Sequence, residues 1–212
     1  YGPDGCVRIG YSYKTNYTPQ LCRIVHAQGG YAEVVSEMEY AHARRLGVPG
    51  PRIIFNGPVK AGWAFAEAAL SGATLNLDNA RDLAMLRDVA GANPGVDISV
   101  VIRTKFAIGD DISRFGMAVD GAELRAALAQ VAVIPNLRLK GLHCHFPDRD
   151  LDSFVRRAEG MVTLAAQVFP DGPPEVLKIG GRYFSHRPAS LRALSVRRPE
   201  NARITDASWR RC

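Results

Sequence analysis

The sequence feature that most constrains the fold is a repeated alternation of short apolar runs with longer amphipathic stretches. The apolar runs predict strands at 7–13, 31–35, 52–55, 74–77, 97–103, 138–143 and 175–179. Between them, apolar residues at helical spacing predict helices at 19–28, 37–46, 59–70, 79–89, 121–131 and 152–168. Strands that alternate with helices pair in parallel through βαβ units. The sequence therefore predicts an α/β fold built on a parallel sheet.

The end of the first strand separates two ways of arranging such a sheet. An open doubly wound sheet usually carries a glycine-rich turn directly after its first strand, whereas this chain has Lys14-Thr15-Asn16 there. The units also follow one another without a reversal in spacing, which is typical of a closed barrel. Asp78 or Asn79 is expected to cap one helix, and Asp120 another. We predict a (β/α)8 barrel of the TIM type, incomplete because only seven βα units are clear.

The sequence changes character after Gly181. Residues 182–212 contain eight arginines against Glu200 and Asp206, an excess that equals the whole chain's net charge of +6. Their apolar pattern is weak, with at most a helix at 188–196 and a poor strand at 202–205. We interpret 1–181 as the barrel domain and 182–212 as a basic tail without a regular pattern, and we expect the chain to be truncated. Because the rest of the chain is near neutral, nucleic acid is not an expected partner.

Composition restricts the class of protein further. Hydrophobic residues make up 47% and charged residues 23%, as in ordinary soluble globular proteins. No apolar run reaches the roughly 20 residues that span a bilayer, and the start lacks the pattern of a signal peptide. The cysteines show neither a C-x-x-C pair nor metal-ligand spacing, which predicts free thiols and no metal. These features predict a cytoplasmic protein without a membrane partner.

The chemistry of a barrel of this kind lies where its strands end at their carboxyl side. The residues expected there are Lys14, Glu33, Ser36, Asn56-Gly57-Pro58, Arg103, His143, His145, Gly180 and Gly181. Of these, the lysine, the acid, the arginine, the two histidines and the late glycine pair are the candidates for chemistry. A lysine that leaves a buried strand is a good amine nucleophile, since desolvation lowers its pKa. A glycine pair can present backbone N–H groups to a phosphate, and an arginine can bind a phenolate or a carboxylate. Together these groups fit a Schiff base with pyridoxal 5′-phosphate.

Six segments carry a resemblance to a known family. They are Tyr11-Ser12-Tyr13-Lys14-Thr15-Asn16, the stretch 31–39, the stretch 52–60, Ser113-Arg114-Phe115-Gly116-Met117, Gly141-Leu142-His143-Cys144-His145 and Lys178-Ile179-Gly180-Gly181. In this order they resemble the signatures of the pyridoxal-phosphate-dependent decarboxylases that share the alanine-racemase-like barrel and act on diaminopimelate, ornithine or arginine. The resemblance covers residues 11 to about 181.

The resemblance implies a role for each matching position. Lys14 would hold the cofactor as a Schiff base, and His145 would stack on the cofactor ring. Glu33 stands where an acid approaches the lysine, and Arg103 where an arginine meets the ring oxygen. Gly180 and Gly181 stand in the phosphate-binding turn. The implied activity is decarboxylation of a small amino-acid substrate, by a protein that forms a homodimer when it is complete.

Departures from the family pattern bear on activity. Pro147-Asp148 stands where the family has a glycine and a serine, and Lys178 and Arg182 replace an acid and a third glycine. The family's E-P-G-R segment and its C-terminal β-domain are not found in the sequence. A catalytically inactive cofactor-binding or interaction domain is therefore the alternative function, and a single-domain barrel with a racemase-like or carrier role is a third.

The residues themselves leave other roles open. Lys14 is also consistent with an ordinary lysine at the rim, and Arg103 with a surface ion-pair partner. His143 and His145 share one face of their strand and form a candidate metal pair, although no third ligand is apparent. Cys144 should point to the opposite face and be part of the core. Gly180-Gly181 is also consistent with a plain turn.

Overall fold

The structure is a computed structural model that describes residues 7–108, 111–146 and 151–181. Its strands are β1 (Gly10–Ser12), β2 (Tyr31–Val34), β3 (Ile53–Phe55), β4 (Thr74–Leu77), β5 (Ile98–Lys105), β6 (Ala107–Ile108), β7 (Asp111–Ile112), β8 (Met117–Ala118), β9 (Leu137–His143) and β10 (Val176–Lys178). Its helices are α1 (Pro19–Ala27), α2 (Glu37–Arg45), α3 (Gly62–Leu70), α4 (Ala80–Ala92), α5 (Ala122–Val133) and α6 (Leu151–Val168), with a 3₁₀ turn at Gly50–Arg52.

The main sheet runs in the order β1-β2-β3-β4-β5-β9-β10, and each neighbouring pair is parallel. A helix lies between most successive strands of this path, as βαβ units require. The seven predicted strands are thus the seven strands of this sheet. The described strands form an incomplete TIM-type barrel, as the sequence predicted.

Three short strands were missed by the sequence analysis. β8 pairs in parallel with the end of β5, through Thr104↔Met117 and Lys105↔Ala118. β6 and β7 form a separate antiparallel pair between β5 and β8. Strands of two residues carry no detectable apolar period, so their existence depends on tertiary pairing. They follow β5 and lie in the connection that leads from β5 to α5.

The strands alternate between an apolar face and a polar face. Ala32 and Val34 of β2, Leu75 and Leu77 of β4, and Ile102 of β5 are fully buried in the hydrophobic core with the helices. The residues between them, such as Glu33, Asn76 and Arg103, point to the other face, because side chains alternate along a strand. Cys144 is also fully buried in that core, as predicted. The helices therefore cover one face of the sheet, and the polar residues line its concave face.

The helix caps agree with the sequence at one position and differ at another. Asn79 is the N-cap of α4, and its side chain accepts a hydrogen bond from Asp82 N at 3.1 Å. The predicted cap Asp120 is wrong, because the N-cap of α5 is Gly121, without a side-chain hydrogen bond. Ser36 caps α2 by accepting from Glu39 N at 3.2 Å, and Glu39 Oε2 accepts in turn from Val35 N at 2.9 Å. This reciprocal arrangement is close to a capping box.

Three predictions concern residues outside the described ranges. The weak helix at 188–196, the weak strand at 202–205 and the division at 181/182 all concern residues 182–212, so they stay predictions. In the described part of the chain, no helix has both the length and the apolar character to cross a membrane.

Gly141 should be the least replaceable glycine of the sheet. A Cβ at this position would lie 1.7 Å from Val176 O of the neighbouring strand β10. We expect Gly141→Ala to lower the free energy of unfolding by about 1–3 kcal/mol, because β10 must move away from β9. Urea unfolding of the chain followed by circular dichroism measures this change.

Gly91→Ala is the matched control. Gly91 lies within α4, and a Cβ added there would meet no atom within 4 Å. Alanine should stabilise the helix there by roughly 0.5–1 kcal/mol. Equal stabilities of the two variants would contradict the close approach of β9 and β10.

Candidate functional site

Polar side chains converge on the concave face where the strands end. Hydrogen bonds join residues that are far apart in the sheet order: Asn56, directly after β3, contacts His143 of β9, and Asn76 of β4 contacts Lys178 of β10. In each case two strands lie between the partners. Such contacts are possible only because the sheet curls, so that its carboxyl edge forms one mouth. This mouth is the candidate site.

The first group in the mouth is a chain of three residues. Asn56 Nδ2 donates to Glu33 Oε1 at 3.0 Å and approaches His143 Nε2 at 3.4 Å. His143 Nδ1 lies 3.2 Å from the carbonyl oxygen of Lys178, which can only accept, so Nδ1 carries the proton and Nε2 is the acceptor. Burial lowers the pKa of His143 well below its usual value, and the positive charges of Arg103 and Lys178 lower it further. The imidazole is therefore neutral.

Arg103 is fixed by a second group. Its Nη1 donates to Asp78 Oδ1 at 2.8 Å, and both side chains are almost completely buried. Its guanidinium also lies 5.2 Å from the centre of the Phe115 ring, within the range of a cation–π contact. The interpretation of Arg103 as a surface ion-pair partner is thus wrong: the residue is in an ion pair, but a buried one at the mouth.

A buried ion pair behind the mouth holds Asp78 in place. Lys60 Nζ donates to Asp82 Oδ2 at 2.5 Å, and the same oxygen accepts from the backbone N of Asp78 at 2.9 Å. Lys60 Nζ also donates to Gly57 O. Burial lowers the pKa of Lys60 and raises the pKa of Asp82, and their mutual attraction opposes both shifts. The pair links the loop after β3 to the first turn of α4, and through Asp78 N it positions the partner of Arg103.

Lys178 forms the third group. Its Nζ donates to Asn76 Oδ1 at 2.7 Å across the concave face. Desolvation lowers the pKa of Lys178 to about 7, and the negative charge of Glu33 opposes this shift in part. From the sequence, Lys178 was noted only because the family has an acid at this position. The structure shows that it is one of the inward-facing residues of the mouth.

Lys14 lies at the rim of the mouth and is exposed. It stands in the turn after β1, where Tyr13 N donates to Glu33 O at 2.9 Å and Thr15 N donates to Ser12 O at 3.1 Å. In the described part of the chain, no hydrogen bond joins Lys14 to Glu33. The charge of Lys14 acts on the carboxylate of Glu39. Burial raises the pKa of Glu39, and the positive charge of Lys14 lowers it in part.

Tyr13 fixes this turn from the outer side. Its ring is fully buried, and its hydroxyl lies 2.7 Å from His26 Nε2 of α1. His26 Nδ1 lies 3.1 Å from Gly30 O and must donate to that carbonyl, so Nε2 accepts from the tyrosine hydroxyl. Burial raises the pKa of Tyr13 far above its usual value, and the neighbouring Cys22 adds to this shift. The phenol therefore stays protonated and holds the turn against α1.

His145 and Gly180 share one small space at the other end of the mouth. Gly180 has a φ of +79°, and a Cβ there would lie 2.9 Å from His145 Nδ1 and 3.1 Å from Cys144 O. Only glycine combines this backbone conformation with so close an approach. Gly181 follows directly and is partly exposed. Among the described residues no cluster of three or more His, Cys, Asp or Glu has a geometry suited to a metal ion.

Four buried polar atoms of the mouth have no hydrogen-bond partner. They are Ser12 Oγ, Asn56 Oδ1, Asn76 Nδ2 and Arg103 Nε, and they are all the orphaned side-chain atoms found among the described residues. All four belong to inward-facing residues at the carboxyl edge. A buried polar group without a partner costs free energy, so their concentration at one place indicates a site for a polar ligand. The set contains both donors and acceptors.

Sequence reasoning missed part of this constellation. It selected Glu33, Arg103 and His143 but assigned no role in the mouth to Asn56, Asn76, Asp78 or Lys178. A usable signal existed, because each is a polar residue near or just after the carboxyl end of a predicted strand. What the sequence lacked was the curvature that brings β3 to β9 and β4 to β10.

A parallel half-barrel with a polar, ligand-ready mouth at its carboxyl edge is typical of cofactor-dependent α/β barrel proteins. Comparison with known proteins narrows this class. Residues 4–191 match the family model described as "Pyridoxal-dependent decarboxylase, pyridoxal binding domain". The chain therefore belongs to the family of pyridoxal-dependent decarboxylases and contains its pyridoxal-binding domain.

Individual relatives agree with this assignment. The chain is 32% identical over 216 residues to a diaminopimelate decarboxylase of Deinococcus radiodurans, covering 96% of this chain and 52% of that protein. It is 28% identical over 188 residues to one of Aquifex aeolicus, covering 82% and 44% respectively. The chain thus spans about half the length of these curated relatives.

Solved structures support the fold. A diaminopimelate decarboxylase from M. jannaschii in complex with L-lysine superposes with a TM-score of 0.71 at 20% identity, over 85% of this chain and 46% of that one. The AQ1208 protein of Aquifex aeolicus superposes with a TM-score of 0.67 at 26% identity, over 80% and 40%. Both likenesses again cover less than half of the longer chain.

The residues present fit pyridoxal 5′-phosphate, the cofactor that this family implies. Asn76 Nδ2 and Arg103 Nε are orphaned donors for the anionic oxygens of such a group, and the Gly180 turn leaves space that a Cβ would fill. The exposed amine of Lys14 is available to its aldehyde. The anionic oxygens of the cofactor would thus find donors at the mouth, and its aldehyde would find an amine.

Loss of the Lys60 amine should destabilise the protein strongly. We expect Lys60→Met to lower the free energy of unfolding by about 3–5 kcal/mol, because Asp82 is left as an uncompensated buried charge. The double variant Lys60→Met/Asp82→Asn should recover part of this loss, since it removes the charge. Urea unfolding of both variants measures the two effects.

Arg87→Ala is the control for this pair. Arg87 and Asp88 form an ion pair that is largely exposed, so its loss should cost at most about 1 kcal/mol. A Lys60→Met variant as stable as Arg87→Ala would show that the buried pair does not hold the loops together.

The neutral state of His143 should appear as a pH dependence of stability. The unfolded chain takes up a proton at this residue below about pH 6.5, whereas the folded chain does not. The stability that His143 contributes is therefore complete above pH 6.5 and falls as the pH is lowered, by at most about 1.4 kcal/mol per pH unit. His143→Gln should show a shallower decline between pH 7 and pH 5 in urea unfolding. Parallel pH profiles for the two proteins would contradict the assignment.

Proposed function

We propose that this chain is the cofactor-binding part of a carboxy-lyase that decarboxylates an amino acid with the aid of pyridoxal 5′-phosphate. The observation that carries the proposal is the set of four orphaned buried polar atoms at the mouth of the barrel. In a chain of this family, these atoms would offer partners to the oxygens of the cofactor. The bound cofactor would supply an electron sink for the carbon that loses carbon dioxide.

Each candidate residue has a role in this proposal that its surroundings support. The exposed amine of Lys14 would hold the cofactor covalently. Arg103 is held in one orientation by Asp78 and would donate its remaining N–H groups to an anionic oxygen. Gly180 and Gly181 would offer backbone N–H groups to the phosphate. His145, packed against Gly180, would stack on the ring, and Glu33 would provide the negative charge on the lysine side of the mouth.

The relatives support a proposal for the substrate class. Those reported above are diaminopimelate decarboxylases, and one of the solved structures contains L-lysine. We propose an amino acid of this kind, carrying a second ionised group, as the substrate of the full-length protein. We also propose that this protein is a cytoplasmic homodimer engaged in amino-acid metabolism, as the family resemblance implies.

Lys14 should be the residue that retains the cofactor. The chain is mixed with one equivalent of pyridoxal phosphate, reduced with borohydride, and digested for peptide mass spectrometry. We expect the label on the peptide that contains Lys14. We also expect Lys14→Ala to need at least about tenfold more cofactor for the same bound fraction, because the covalent link to this residue is lost.

Lys105→Ala is the matched control, since Lys105 lies on β5 and is not one of the candidate residues. It should bind the cofactor as the unaltered chain does. If the unaltered chain carries no label at Lys14, or if Lys14→Ala binds equally well, the proposed attachment is wrong. The inactive-domain alternative would then be favoured.

His145→Ala should weaken cofactor binding without preventing attachment at Lys14. Loss of one stacking contact is worth about 0.5–1.5 kcal/mol, which corresponds to a rise of roughly 2- to 12-fold in the dissociation constant. A titration followed by imine absorbance gives the constant, and the borohydride map verifies the attachment site. An unchanged constant would count against stacking.

A further inference from the structure

Lys178 is the most unusual side chain of the mouth, because it is an amine where the family resemblance leads one to expect an acid. It lies at the end of β10, its side chain crosses the concave face, and it is partly buried. Its backbone is fixed by two bonds: Cys144 N donates to Lys178 O at 2.8 Å, and His143 Nδ1 donates to the same oxygen. The amine is therefore presented to the mouth from a rigid strand and not from a mobile loop.

The partner of Lys178 is neutral. Its Nζ donates to Asn76 Oδ1 at 2.7 Å, and in the described part of the chain no salt bridge includes it. A buried lysine with a structural role is normally paired with a carboxylate, as Lys60 is with Asp82. Here the other titratable groups around the mouth are Arg103, which is already paired with Asp78, the acid Glu33, and the histidines His143 and His145.

This environment favours the uncharged form of the amine. Desolvation lowers the pKa of Lys178 to about 7, although Glu33 opposes the change. The neutral amine is therefore far more accessible near pH 7 than in an ordinary lysine, which is almost entirely protonated there. A neutral amine on a desolvated side chain is the form that attacks carbonyl carbon.

The surroundings also contain hydrogen-bond donors that could stabilise the oxygen formed when the amine attacks a carbonyl. The amide of Asn76 that binds Lys178 Nζ through its oxygen has its Nδ2 buried and unpartnered. Arg103 Nε is the second orphaned donor of the same concave face. Asn76 Nδ2, on the amide that contacts the amine, is suited to donate to an oxygen that develops negative charge there.

We propose that Lys178 Nζ is a second carbonyl-reactive amine of the mouth, which forms an imine with aldehydes, pyridoxal phosphate included, without the participation of Lys14. The lone pair of Nζ attacks the aldehyde carbon, and the carbonyl oxygen takes up a proton to give a carbinolamine. The hydroxyl then leaves as water while the nitrogen loses its remaining proton, so that one C=N bond replaces one C=O bond. No oxidant or reductant is needed. Only the choice of pyridoxal phosphate as an aldehyde rests on the proposed function.

The first experiment uses formaldehyde as the probe and does not depend on the cofactor. The complete 212-residue chain is methylated with formaldehyde and cyanoborohydride at limiting reagent between about pH 6 and pH 10, and each lysine is quantified by peptide mass spectrometry. The methylation rate at Lys178 should rise with a midpoint near pH 7, about three pH units below that of an ordinary lysine. Glu33→Gln should move this midpoint to lower pH, because it removes the charge that favours the ammonium form.

The second experiment uses pyridoxal phosphate in excess, followed by borohydride reduction and peptide mapping. The unaltered chain should be labelled at both Lys14 and Lys178, and Lys14→Ala should keep the label at Lys178. Lys178→Arg, which preserves the positive charge, should lose this label and keep the one at Lys14. A label at Lys14 alone would support the proposed function and overturn this inference.

The opposite result is equally clear. A label at Lys178 alone would support the inference and count against the proposed role of Lys14. Should Lys178 resist formaldehyde at pH 7 in folded protein, or show a midpoint near pH 10, the inference fails whatever the cofactor does. The methylation profile of the unaltered chain tests the proposal without any variant. The test therefore holds even if a variant fails to fold.

Discussion

The mouth of this half-barrel depends on one buried ion pair, Lys60–Asp82. Both side chains are almost completely removed from solvent, where separate charges would be very costly. Asp82 uses the same carboxylate oxygen to bind Lys60 and the backbone N of Asp78. Asp78 can then face Arg103. The orientation of a cation in the mouth is thus determined by a pair of charges that lies behind it, one in the loop after β3 and one in the first turn of α4.

The difference between the apolar face and the polar face of the sheet follows from strand geometry. Successive side chains of a strand point to opposite faces, so the residues that pack against the helices and those that face the mouth alternate in the sequence. The outward set is apolar and forms the core, with Leu75, Leu77 and Ile102 as examples. The inward set is polar near the carboxyl edge and is not fully satisfied internally. The stability that the core provides allows the mouth to keep unpaired groups for a ligand.

Most of the fold could be predicted from the sequence, but only part of the site could. The seven strands of the sheet and the main helices follow from periodicity, because each depends on residues that are near in sequence. The two-residue strands β6, β7 and β8 do not, and neither does the cap of α5, where Gly121 and not Asp120 begins the helix. Glu33 and Arg103 could be selected as strand-end polar residues, but their partners Asn56 and Asp78 required knowledge of the loops. The contact of Lys178 with Asn76 depends on the curvature of the whole sheet, which no local pattern encodes.

The hydrogen bond between Tyr13 and His26 has a consequence for how such a protein can diverge. The turn that carries Lys14 is anchored through Tyr13 to α1, and through His26 to the start of β2 at Gly30. The position of the Lys14 side chain therefore depends on contacts with α1, which lie away from the groups that face the ligand. We expect substitutions in α1 to shift the position of the Lys14 amine without changing the polar residues of the mouth. The outer shell of the molecule thus offers a route by which members of one family acquire different preferences with the same set of interior residues.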